Sequence, residues 1–374
     1  MNVVLLSYRS KPHCGGQGVY VRHLSRELAR LGHDVEVVSG PPYPELDEVP
    51  GLRLTRLPGL DLYREPDPFR VPRLRDFRSL LDVLEFALMC TAAFPEPLTF
   101  SLRAWHELRR RATRPDVVHD NQGLGYGLIG LQRDGHLVVA TCHHPITVDR
   151  DHDLAQATTR RRRLSVRRWY SFLRMQGRVL RALPAVLTVS SSSYDDVRRD
   201  FQVAGERLTV VPVGVQTDVF RPPAVPRVPG RIVATTSADV AVKGLVPLLE
   251  AVAKLRTERT VELVVVGRPR EGGLAEQTVE RLGLGDAVRF VSGLAEPDLV
   301  QLLGSAEVAV VPSLYEGFSL PAVEALACAT PLVATTAGAL PEVVGPDGET
   351  ALHVPPGDPE ALAAAVGRLL DDPE

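Results

Sequence analysis

Short runs of β-branched and other apolar residues, each separated from the next by a helix-length segment, recur along this chain. Val3–Ser7, Val35–Ser39, Arg53–Leu57, Asp116–His119, Leu137–Thr141 and Ala185–Val189 form one series; Ile232–Thr235, Val261–Val266, Val288–Val291, Val308–Val311, Leu332–Ala334 and Ala351–Val354 form a second. Runs of this kind read as strands covered on both faces, and strands that alternate with helices pair in parallel, because the helix carries the chain back to the starting end of the sheet. Between the two series lies 212–230, PVGVQTDVFRPPAVPRVPG, rich in proline and poor in periodicity, which reads as an interdomain linker. The expected fold class is α/β, with two doubly wound Rossmann-like domains over 1–211 and 231–374 facing a central cleft at their strand ends. A chain of 374 residues is also too long for one ordinary core.

Composition narrows the class. Apolar residues make up 44% and charged residues 24%, as in soluble globular proteins. The first residues, MNVVLLSYRS, run straight into a strand pattern without a basic leader. The most apolar stretch, Leu80–Phe94, is interrupted by Asp82 and Glu85 and does not read as membrane-spanning, so a cytoplasmic protein is expected. Cys14, Cys90, Cys142 and Cys328 lack metal-ligand spacing and read as reduced thiols. No GxGxxG fingerprint follows the first strand, which argues against a nicotinamide enzyme. Lys11, Lys243 and Lys254 are the only lysines among many arginines.

One stretch carries the chemistry. In 308–330, VAVVPSLYEGFSLPAVEALACAT, a strand ends at Pro312, a loop holds Glu316 and Gly317, and a helix begins where Ser319 is placed to cap and Pro321 fits the first turn. A strand–loop–helix junction of this kind presents free N–H groups and the positive end of a helix dipole to a phosphate. Glu316 and Glu324 flank that anion position, and a carboxylate beside a phosphate needs something between them. Sugar hydroxyls fill that role, so the pattern points to a nucleotide-sugar site.

Other stretches are open to two readings. Gly15-Gly16, in the first β-to-α turn, is either a plain tight turn or a place of close backbone approach to a ligand. His143 and His144 follow the Leu137–Thr141 strand, where structural histidines and ligand contacts both occur. Lys243-Gly244, just before an amphipathic helix, favours a phosphate contact over ordinary surface. Residues 60–114 form an apolar and basic insertion. No acidic residue occurs between Asp153 and Asp195, and a basic helix over about 159–182, bearing arginines from Arg160 to Arg181 among Trp169, Tyr170 and Phe172, is expected. It is either a helix packed on the sheet with a solvated face or a contact for an anionic membrane surface; nothing else in the chain supports nucleic acid.

Taken together and in this order, Gly15-Gly16, GHDVEVVS at 32–39, TCHH at 141–144, Ser190, Lys243-Gly244 and the E-x7-E pair in its EGF…P…EA setting resemble a family 4 retaining glycosyltransferase of the GT-B fold. The resemblance implies a metal-independent hexosyltransferase without a cofactor, using a UDP- or GDP-linked sugar. It implies that Gly15 and Gly16 lie near the donor diphosphate and acceptor, and that His143 contacts the transferred sugar. Lys243 would stabilise the departing diphosphate and Glu316 would bind sugar hydroxyls. The N–H groups of Gly317, Phe318 and Ser319 would meet phosphate, and Glu324 would take the ribose diol. His144 and Gln17 would face the acceptor. Glu316 as a covalent nucleophile is rejected, since the leaving phosphate is thought to take the acceptor proton.

Three departures stand out. The family's arginine five residues before the lysine is Ala238 here, so either Arg268 substitutes for it or donor binding is weaker or differently arranged; the PNGVD linker reads Pro212-Val213-Gly214-Val215-Gln216; and the chain stops at LLDDPE without the usual C-terminal helices. The acceptor is expected to be a membrane lipid or glycolipid, with the protein peripheral on the inner face of the plasma membrane. The alternatives are a soluble small molecule, or a nucleotide-sugar-binding protein without turnover. The sequence leaves the oligomeric state open.

Overall fold

A computed structural model describes residues 1–10, 16–64 and 67–372. Gly15, one of the expected donor contacts, lies outside the described residues. The chain divides into two compact units. The first comprises 1–189 and 193–211, and the second 190–192 and 212–374. Pro212–Gly230, the expected linker, therefore groups with the second unit, and Phe220 from it is buried in that unit's core.

The first unit is built on a seven-stranded parallel sheet: β1 (Asn2–Ser7), β2 (Asp34–Ser39), β3 (Leu52–Arg56), β4 (Val117–Asn121), β5 (Val138–Cys142), β6 (Ala185–Thr188) and β7 (Leu208–Val210), in the order β3-β2-β1-β4-β5-β6-β7. β7 was not anticipated; at three residues it is too short to show a period. The second unit holds β8 (Arg231–Thr235), β9 (Glu262–Val266), β10 (Val288–Val291), β11 (Val308–Val311), β12 (Leu332–Thr335) and β13 (Leu352–Val354), ordered β10-β9-β8-β11-β12-β13 and again parallel.

Alternation along the strands shows why each sheet needs helices on both faces. Val4 and Leu6 of β1 join a core with Phe100, Ala104 and Leu128, whereas Val3 and Leu5 join another with Val21 and Ala29. In the second unit Ile232, Leu263, Val308 and Val310 face one core, and Val233, Val264, Ala309 and Val311 the other. Each fully buried aliphatic side chain contributes about 1.5–3 kcal/mol of transfer free energy, which favours covering both faces.

The first helix runs Gly16–Arg30; Leu31 beyond it is exposed, and Gly32, at φ +84°, turns the chain out. The apolar stretch Leu80–Phe94 is helical over Leu80–Cys90, with Ala92 at positive φ. The expected basic helix is two helices, Arg160–Trp169 and Leu173–Ala182, joined by a 3-10 turn at Tyr170–Phe172. The break separates two roles. Leu173, Met175, Val179 and Leu180 pack into the first unit's core, so the second helix follows the packed-on-sheet reading, while Arg160–Arg163 and Arg167 are exposed. Among the described residues no helix is long and apolar enough to cross a membrane.

Candidate active site

In a doubly wound sheet, ligands bind at the carboxyl ends of the strands where the winding direction reverses. In the second unit that point falls between β8 and β11, and the loops after these two strands carry Lys243 and Glu316. Lys243 Nζ donates to Glu316 Oε1 at 2.8 Å, and Ser313 Oγ donates to the same oxygen at 2.7 Å. Backbone geometry fixes the pair. Leu314 N donates to Val242 O at 2.8 Å, and Gly244, at φ +67°, lies so close to the β11 loop that a Cβ there would sit 1.9 Å from the Pro312 carbonyl oxygen. Behind Glu316, Ala339 N donates to its carbonyl at 2.9 Å. Glu316 is thus held through Oε1 and through its backbone before any ligand arrives.

The junction after Glu316 differs from the expected cap. Ser319 adopts φ 96° and ψ 85°, and its hydroxyl makes no cap bond to the helix Leu320–Ala327. A cap needs extended backbone at that position, and in the left-handed region the side chain is turned away from the free N–H groups. Its Oγ is buried without a partner, and the N–H groups of Phe318 and Ser319 have no protein acceptor among the described residues. The strained turn leaves donors at the positive end of a helix, with Pro321 in the first turn as expected. Ser190, which groups with this unit, donates to the Gly317 carbonyl at 2.6 Å and fixes the loop from its other side.

Glu324 lies one turn into the helix, half-buried. Burial, and then the charge of Glu296, raise its carboxyl from 4.5 to about 7. Among the described residues no side chain or amide pairs with it, so it is suited to accept hydrogen bonds from a diol. Arg268 follows β9 and is exposed, with no ion pair among the described residues. Ala238 is buried, 7% exposed, within the core beneath the β8 loop, so no cation stands at that position.

In the first unit the reversal lies between β1 and β4. His143 directly follows β5, and its Nε2 lies 2.7 Å from Asn121 Oδ1. The Asn121 amide nitrogen points to Gln17 O at 3.5 Å, so its oxygen faces the histidine and the imidazole carries its proton on Nε2. Burial, reinforced by His144 and His119, lowers His143 to about 3. The ring is therefore neutral, and Nδ1 is left as an acceptor for a hydroxyl. Tyr20 stacks edge-on with ring centroids 4.6 Å apart, Gln122 Oε1 accepts from His143 N at 2.7 Å, and Ser193 Oγ donates to His143 O at 2.7 Å.

His144 contacts Asp149 at 3.3 Å, and Gln17 enters the cluster through its backbone carbonyl. Gly16 is exposed at the helix start, and a Cβ there would meet nothing within 4 Å among the described residues. Sequence reasoning missed Asn121, Gln122 and Ser313. The polar run HDNQG at the end of β4 was the available signal for the first two.

Comparison with known proteins accounts for this arrangement. The chain matches the description "Glycosyltransferase Family 4" over residues 14–219 and "Glycosyl transferases group 1" over 230–372. It is 58% identical over 374 residues to the MMP alpha-(1->4)-mannosyltransferase of Mycolicibacterium hassiacum, covering 100% of this chain and 90% of that one. Sucrose-phosphate synthase from Thermosynechococcus elongatus superposes with a TM-score of 0.74 at 26% identity, covering 100% of this chain and 90% of its own. Anabaena HepE in complex with UDP and glucose shares the fold, with a TM-score of 0.69 at 16% identity over 100% and 90% of the two chains. Two parallel doubly wound sheets, the paired Lys243 and Glu316 at one reversal point, and matches covering both units lead to one conclusion: the chain belongs to the family 4 glycosyltransferases of the GT-B fold.

Proposed function

We propose that this glycosyltransferase moves a mannosyl residue from a nucleotide-diphosphate sugar to a sugar hydroxyl, with retention at the anomeric carbon and without a metal ion. The observation that carries the reading is the Lys243–Glu316 pair beside the open N–H groups of Phe318 and Ser319. Breaking the glycosidic bond leaves positive charge on the sugar and negative charge on the diphosphate. A cation and a helix N-terminus already aimed at that negative charge lower the barrier without reorganising. Glu316, held by Lys243 and Ser313, orients donor hydroxyls rather than attacking carbon, and Glu324 accepts from the ribose diol. Arg268 supplies a further cation for the diphosphate. His143 Nδ1 accepts from a sugar hydroxyl, with Gly16, Gln17 and His144 nearby on the acceptor side.

Mannose and an α-(1→4) linkage are proposed because the relative at 58% identity is named for them. A UDP- or GDP-linked donor is proposed from the family resemblance, and the UDP complex of HepE is consistent with it. The test is a donor panel of GDP-mannose, UDP-glucose and ADP-glucose with an oligomannoside acceptor, followed by NMR of the product. Mannose transfer giving an α-anomeric product is expected. Glucose transfer alone overturns the mannosyl assignment, and a β-product overturns retention.

A further inference from the structure

The helix Leu80–Cys90 is turned inside out. Its acidic residues are its buried ones: Asp82 and Glu85 are 5% and 2% exposed, and Arg103 binds both, at 2.6 and 2.5 Å. Thr99 Oγ1 adds a bond to Glu85 at 3.0 Å. The opposite face, Leu80, Val83, Leu84 and Ala87, is exposed, with Leu80 at 86%. Arg103 and, at Asp82, the Arg78 and Ser79 amides of the helix start satisfy the buried carboxylates, but nothing compensates the leucines on the other face, whose exposure forgoes burial. Such a helix makes physical sense where its outer face meets an apolar phase.

The chain just before it has the same character. Phe69, Val71 and Leu74 are exposed, with Leu74 at 91%. Arginines are interleaved with them: an open hollow of about 430 Å³ is lined by Arg64, Arg70, Arg73 and Arg75, with Asp67 and Asp76 as its described acids. Asp76 is already engaged by Arg70 at 2.6 Å and by Arg73 N at 3.0 Å, so cationic charge remains in excess. The arginine helix Arg160–Trp169 adjoins this region: Arg168 donates to Thr91 at 2.9 Å, and the Trp169 and Phe69 rings lie 6.1 Å apart. Exposed leucines beside clustered arginines match the acyl–headgroup boundary of an anionic bilayer.

We propose that this face docks the protein on an anionic lipid membrane, the arginines taking headgroup phosphates and Leu74, Leu80, Val83 and Leu84 entering the acyl boundary. The proposal is independent of donor and acceptor identity. A second copy of the chain is disfavoured because a two-fold contact here would oppose arginine with arginine. Flotation of the full chain with phosphatidylcholine vesicles, with and without phosphatidylglycerol, tests it. Binding only to the anionic vesicles is expected, weakening steeply with added salt. Arg73→Gln with Arg75→Gln lowers partitioning more than tenfold, at about fivefold per arginine, and Leu80→Ser with Val83→Ser lowers it further. Nucleoside-diphosphate release in solution stays unchanged in both double variants, which shows that they fold. No flotation of the wild type, equal flotation of all variants, or a homodimer in sedimentation that Leu80→Ser with Val83→Ser dissociates would each overturn the proposal.

Discussion

Replacing Lys243 by glutamine removes a charge while leaving the loops intact. Nζ lies 2.8 Å from Glu316 Oε1, with the lysine side chain one-third exposed and the glutamate 11% exposed. An ion pair this open is worth only about 0–1 kcal/mol to folding, and Ser313 still holds Glu316 in the variant. The melting temperature should therefore move by no more than about 2 °C. The effect on transfer is larger, because diphosphate charge grows only as the sugar leaves. At roughly 4 Å and an effective dielectric near 20, one cation and one added negative charge interact by about 4 kcal/mol. Allowing for the lysine's partial exposure, about 3 kcal/mol survives, on the order of a hundredfold in kcat. Initial rates of nucleoside-diphosphate release at saturating donor measure it, with Lys243→Arg expected to recover part of the loss. A kcat within threefold of the parent, in a variant with unchanged melting temperature, would refute a transition-state role for Lys243.

The proposed ribose contact at Glu324 should make donor binding pH-dependent: burial raises its carboxyl to about 7, and a diol donating to the ionised form should lower that value on binding, so affinity should fall as pH drops through 7. Calorimetry should show the donor bound about tenfold tighter at pH 8 than at pH 6, and Glu324→Gln should flatten the difference; an unchanged slope in that variant rules out this assignment. His143, lowered to about 3, stays neutral, so its imidazole ¹⁵N shifts should not move between pH 5 and 8. A titration in that window would contradict the buried, neutral imidazole. Two glycines should respond oppositely to alanine. Gly244→Ala, strained at φ +67° and clashing with Pro312 O, should cost more than about 2 kcal/mol in denaturant unfolding. Gly16→Ala meets nothing within 4 Å among the described residues and should stay within about 0.5 kcal/mol of the parent while lowering transfer, and normal transfer would remove Gly16 from the site.

The sequence alone determined what depends on local pattern. Apolar runs separated by helix-length segments specify parallel strands covered on both faces, and Val288–Val291 and Val308–Val311 were legible to the residue. The glutamates eight residues apart across a strand–loop–helix junction were legible for the same reason, since their spacing along the chain is local. What only the tertiary structure decided depends on partners distant in the chain. Lys243 and Glu316 meet because β8 and β11 are neighbours in the sheet although 73 residues separate the two side chains. Asn121 fixes the tautomer of His143 from the adjacent strand end. Ser319 reads locally as a cap, yet the loop holds it at positive φ and leaves the helix end open. Leu80–Cys90 is the clearest case. Periodicity shows which residues share a helix face, but Arg103 on the neighbouring helix decides which face turns inward, because a buried carboxylate goes where a cation can reach it.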